Sequence, residues 1–126
     1  MSQLGEERRY PRQAVEYPAE IWIRRGEEAR GTFVDCGVRG VLRDISLSGV
    51  GMDDIRSFNV RGWGWRSFLT EKSMLKILVH TSRSRVELWG SIVWVQEQNQ
   101  KGRIGIRLIS ISQEDLKSLT PSTLGN

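Results

Sequence analysis

The chain has 126 residues, 38% of them hydrophobic, and a mean hydropathy of −0.40. That is one domain's length with enough apolar content for one core, which argues against a disordered chain. Its net charge of +4 and pI of about 9.7 mix 19 basic with 15 acidic residues. Long nucleic acids call for cations concentrated on one surface, so short arginine clusters suit a small phosphate-bearing ligand better.

No apolar run approaches the roughly 20 residues of a membrane-spanning helix. The opening "MSQLGEERRY" lacks the apolar stretch of a secretory signal. One cysteine, Cys36, leaves no internal disulfide framework and fits a reducing compartment. A cytoplasmic protein without membrane insertion is expected.

The first informative stretch is "RRYPR" (8–12), with Arg8, Arg9 and Arg12 around a Tyr-Pro pair. Pro11 fixes its own φ and biases Tyr10 toward extended backbone. Arg8 and Arg12 then share a face about 13 Å apart, at 3.3 Å per residue. Such a pair can clasp a ligand with two anionic or acceptor groups. A solvated basic arm, partly neutralised by Glu6 and Glu7, accounts for the same residues.

"AEIWIRR" (19–25) alternates as a strand, with Ile21 and Ile23 on one face and Trp22 on the other. "GEEARG" turns the chain into a second strand, "TFVDCGV" (32–38). "GVLRDISLSGVGM" (40–52) is β-rich and ends in a Ser/Gly turn. Residues 52–68 show no clean period and read as a long connection. "MLKILVH" (74–80) and "RVELWGSIVWVQ" (85–96) are strands joined by "TSRS", and "RIGIRLISI" (103–111) follows the turn "EQNQKG". Ser112 is a suitable N-cap, Gln113, Glu114 and Asp115 suit a helical first turn, and Pro121 ends the helix. Six or seven strands at hairpin spacing before one helix predict a small antiparallel barrel.

Catalytic chemistry finds little support. His80 is the sole histidine and sits in a strand, so with one cysteine it cannot complete a four-ligand zinc site. It reads as a histidine at the sheet surface or barrel rim, and Cys36 as a small packed side chain. Glu27 and Glu28, like Asp53 and Asp54, read as solvated loop acids. There is no nucleophile elbow, Walker loop or GxGxxG.

"DISLSG" (44–49) carries the second candidate site. The Asp44 carboxylate can accept two adjacent N–H groups, as the guanine edge offers. The Ser46 hydroxyl suits a phosphate or a backbone group. Gly49 and Gly51 permit positive φ and close approach of a flat ligand. Alone, such a stretch is also an ordinary turn.

Together, "RRYPR" and "RDISLSGVGM" resemble the PilZ domain family, bacterial receptors for cyclic di-GMP, whose signatures are RxxxR and [D/N]xSxxG. They stand here as Arg8 and Arg12, and as Asp44, Ser46 and Gly49. "GSIVWV" and "GRIGIRLISIS" resemble the family's closing strands and "SQEDLKSL" its terminal helix, so the resemblance covers residues 6–120. It implies a mostly β fold: a six-stranded antiparallel barrel with a C-terminal helix and a flexible arginine arm across its mouth. The single domain would divide into an arm (1–13), a barrel (14–111) and a helix (112–120).

The resemblance further implies a non-enzymatic receptor with cyclic di-GMP as ligand and no cofactor. Arg8 and Arg12 would bind guanine edges and phosphates, with Arg9 as a further contact. Asp44 would read guanine, Ser46 would touch phosphate or base, and Gly49 would give clearance. Trp94 is placed to stack on a base as in some relatives, or else it fills the barrel core. Trp63 and Trp65, in "RGWGWRSF", either face a downstream protein partner or plug a barrel end. The alternative function is a ligand-independent adaptor working through those tryptophans.

Overall fold

The computed structural model describes residues 12–25, 32–57, 64–67 and 69–120. Six strands, β1 (Gln13–Arg25), β2 (Thr32–Ile45), β3 (Gly49–Ser57), β4 (Met74–His80), β5 (Arg85–Gln98) and β6 (Lys101–Ser110), precede one helix, α1 (Gln113–Leu119). They form a closed antiparallel barrel in the order β1-β2-β3-β6-β5-β4, with β1 pairing back onto β4.

Alternation sets the core. Ile21 on β1, Leu42 on β2, Met52 on β3, Ile77 on β4, Leu88 on β5, and Ile104 and Ile106 on β6 point inward and are nearly fully buried. Each such burial is worth about 1.5–3 kcal/mol. At the end bearing the β5–β6 hairpin, Trp65 closes the barrel. It is buried, its ring lies against Gly102, and its Nε1 donates to the Gln100 carbonyl at 3.2 Å. A Cβ on Gly102 would stand 2.6 Å from Trp65 Cη2, so the seat requires glycine. At the opposite end α1 inserts Leu119, which is fully buried. Its N-cap Ser112 accepts from the Asp115 N–H at 3.0 Å.

Several boundaries differ from the sequence reading, each for a local reason. β1 begins at Gln13, because the register shift between Ala14 and Tyr17 breaks the alternation on which a strand is recognised. Pro18 is tolerated in β1 because β4 joins only from Ala19 onward. β2 is one strand across 32–45, bent where Gly37 adopts φ 82° and donates its N–H to Asp35 Oδ1 at 2.9 Å. β3 continues to Ser57, through residues expected to form a connection. A bulge between Met52 and Ile55 shifts the buried set to Val50, Met52 and Ile55, which erases the period of two. Asp53 and Asp54 therefore stand in a strand and not in a solvated loop, and Asp54 takes φ 57° at the bulge.

Arg8, Arg9, Trp63, Glu27, Glu28 and the Cys36 side chain lie outside the described residues. Among those described, no helix is long and apolar enough to cross a membrane.

Candidate functional site

The β2–β3 connection explains the spacing of "DISLSG". Ser46 and Gly49 are the first and last residues of a four-residue turn, with the Ser46 N–H donating to the Gly49 carbonyl at 2.9 Å. The Ser46 hydroxyl is buried and accepts from the Ser48 and Gly49 N–H groups, each at 3.2 Å. Ser46 thus spends its hydrogen-bonding capacity on the bend itself. Gly49 and Gly51 are extended, contrary to the expectation of positive φ; among the described glycines that conformation belongs to Gly37. What their positions require is the missing side chain. A Cβ on Gly49 would lie 2.7 Å from the Ile106 carbonyl oxygen, and one on Gly51 would lie 2.6 Å from Asp44 Oδ2.

This turn fixes a register that assembles the site. Asp44 pairs with Gly51, Gly51 with Gly105, and Gly105 with Trp94, one row across β2, β3, β6 and β5. All four face outward, since their neighbours Ile45, Val50, Ile104 and Ile106 fill the core. Three inter-strand steps place the backbones of Asp44 and Trp94 about 14 Å apart. Between them the floor is bare glycine. The Asp44 carboxylate leans over Gly51 and the Trp94 indole over Gly105. Trp94 is 37% exposed, so it belongs to the outer wall and not to the barrel core.

Arg12 completes one side. Its Nη1 donates to Asp44 Oδ1, and its Nη2 lies 3.4 Å from where a Gly49 Cβ would be. The last arginine of the arm and the acid of the turn, 32 positions apart, therefore meet at the edge of the glycine floor. Arg12 and Asp44 are half exposed, and surface pairs of this kind contribute about 0–1 kcal/mol.

Beside the floor along β6, Arg103 and Arg107 project outward two residues on either side of Gly105, in the run "RIGIR". Arg107 pairs with Gly49 and Arg103 with Gln96. Neither arginine, nor Gly105, belongs to the two sequence signatures; the alternation of isoleucines with Arg, Gly and Arg in "RIGIR" is the signal that marks them as outward-facing.

His80 lies on the outer wall and hydrogen-bonds Glu20 through Nε2 at 2.6 Å, while Trp22 Nε1 donates to the same carboxylate at 3.3 Å. Neither residue borders the glycine floor. Among the described residues no group of His, Cys, Asp and Glu could hold a metal ion.

In comparison with known proteins, a family model described as PilZ domain matches residues 6–123. No curated protein matches the chain.

Proposed function

Since the chain belongs to the PilZ domain family, we propose that it is a non-enzymatic receptor for cyclic di-GMP that binds on the outer wall of the barrel. The observation that carries this reading is the Arg12–Asp44 pair at the rim of a glycine floor faced by Trp94.

The binding chemistry is an exchange of partners. Without ligand, Arg12 and Asp44 satisfy each other at little net gain. With ligand, the Asp44 carboxylate accepts the N1–H and N2–H₂ of a guanine. The Arg12 fork turns to guanine O6 and N7 or to a phosphate. Each charge-assisted bond contributes about 1.5–3 kcal/mol, more than the pair it replaces. Trp94 adds about 1–3 kcal/mol by stacking on a base. Micromolar affinity requires about 8 kcal/mol, and ordering each arm residue costs about 1–2 kcal/mol. Arg8 and Arg9 close over the nucleotide to supply the remainder, and the closed arm presents a new surface to a downstream protein. Closure depends on contacts available only in the closed form. The glycines let the Asp44 carboxylate and the Trp94 indole lie close against the backbone, where a guanine can meet each of them.

The adaptor alternative is weaker, because Trp65 is committed to the core. Calorimetric titration with cyclic di-GMP, with GTP as control, tests the proposal. Arg8→Ala, Arg12→Ala and Asp44→Ala should each weaken binding at least about tenfold. Unchanged affinity in all three would overturn it.

A further inference from the structure

We propose that Arg103 and Arg107 form a phosphate clamp on β6, one guanidinium for each of the two phosphodiesters of the ligand. The inference rests on the receptor reading above and extends it to residues outside both sequence signatures.

Charge is the first ground. A cyclic dinucleotide carries two negative phosphodiesters, but the described rim of the site is nearly neutral: Arg12 and Asp44 cancel, and Trp94 and the glycines are uncharged. Two more cations border the floor. Arg103 and Arg107 flank Gly105 on the same outward face, with backbones about 13 Å apart at 3.3 Å per residue.

Availability is the second. Arg12, Arg39, Arg43, Arg56 and Arg66 are each held by a carboxylate. The Arg103 and Arg107 side chains have neither a hydrogen bond nor an ion pair among the described residues. Both are exposed. Their forks can take phosphate oxygens bidentately with no partner among the described residues to displace.

Position is the third. Arg107 lies beside Gly49, across from the Arg12 guanidinium, so a phosphate there meets two arginines. Arg103 borders an open hollow of about 660 Å³ at the β5–β6 hairpin, lined also by Val95, Gln96, Gln98 and the Arg66–Glu97 ion pair, which leaves room beside Arg103 for the far phosphate. A ligand lying along β6 therefore spans the clamp while its base reaches Asp44 or Trp94.

The test is calorimetric titration of cyclic di-GMP into the full chain and its Arg103→Ala, Arg107→Ala and Arg85→Ala variants, beside Arg12→Ala and Asp44→Ala. Arg85 is exposed, equally charged and without a partner among the described residues, but it opens β5 opposite His80, away from the floor. The clamp predicts about a tenfold loss of affinity for Arg103→Ala and for Arg107→Ala, with Arg85→Ala within twofold of wild type. Equal losses in all three would reduce the effect to bulk charge and overturn the clamp. A loss in only one of Arg103 and Arg107 would overturn the assignment of two phosphates. Wild-type affinity in both, with Arg12→Ala and Asp44→Ala impaired, would overturn the clamp and leave the receptor reading standing. A wild-type chain that does not bind would end both. Because the altered side chains are solvent-facing, unchanged thermal midpoints establish that any loss is local.

Discussion

The Trp94 indole occupies the space a Gly105 side chain would need, since a Cβ at Gly105 would come within 2.5 Å of Trp94 Cε2. The pair acts as one platform, a ring held in place by the bare backbone beneath it. Gly105→Ala should therefore displace the indole and weaken cyclic di-GMP binding in parallel with Trp94→Ala. Each loss should reach about fivefold or more, as one stacked base is worth about 1–3 kcal/mol. Trp94→Phe should retain most of the affinity. Titrations in which Trp94→Ala binds like wild type would remove the platform.

Affinity and stability should separate at Arg12 and Asp44. Their exposed pair contributes at most about 1 kcal/mol to folding. Asp44→Asn should shift the urea midpoint little and weaken binding at least about tenfold. A large stability loss with modest weakening would make the pair a structural bridge.

Ser46 should behave in the opposite way. Its buried hydroxyl holds the turn through two backbone N–H groups. Ser46→Ala leaves those donors unsatisfied and should cost about 1–3 kcal/mol in chemical denaturation. Binding should then fall because Asp44 and Gly49 lose their alignment.

Much of this was readable in the sequence, and the failures share a cause. Strand β4 follows from a short apolar run between polar turns, β5 and β6 from a largely alternating pattern, and α1 from the Ser112 cap, all of them local signals. The start of β1 and the extent of β3 were hidden by register shifts, where one extra residue reverses the side of the sheet that later residues face. Asp44 and Ser46 were identifiable from composition and spacing, yet the division of labour between them follows from the turn's hydrogen bonds. Local alternation marks Arg103, Gly105 and Arg107 as one outward row, but only the register of β6 against β3 and β5 sets that row beside Asp44 and Trp94.

Trp65 should prove a stability residue. Removing a buried indole costs about 3–5 kcal/mol, so Trp65→Ala should be strongly destabilised in thermal unfolding. Gly102→Ala should also destabilise, because its methyl collides with the Trp65 ring. If Trp65→Ala unfolds like wild type, the ring is not the plug of that end.

Acid should weaken the fold through two carboxylates. The Arg39 guanidinium holds Asp35 below its ordinary value of 3.8, against a smaller opposing effect of burial. Lys101 and then Arg56 do the same for Asp54. A lowered folded value means stabilisation that is complete above pH 3.8 and lost as pH falls through the folded values. Unfolding measured from pH 5 to pH 2 should show this decline, and Asp35→Asn should flatten part of it. Identical profiles for wild type and Asp35→Asn would assign the acid sensitivity elsewhere.

Closure of the barrel leaves each of the six strands with two neighbours, β1 and β4 included. Where β1 meets β4, from Ala19 to Ile23, the wall has no edge to template an incoming peptide by strand addition. A protein that recognised the proposed complex on this stretch of wall would read a mosaic of side chains and ligand atoms, where one altered residue can change recognition without disturbing the scaffold.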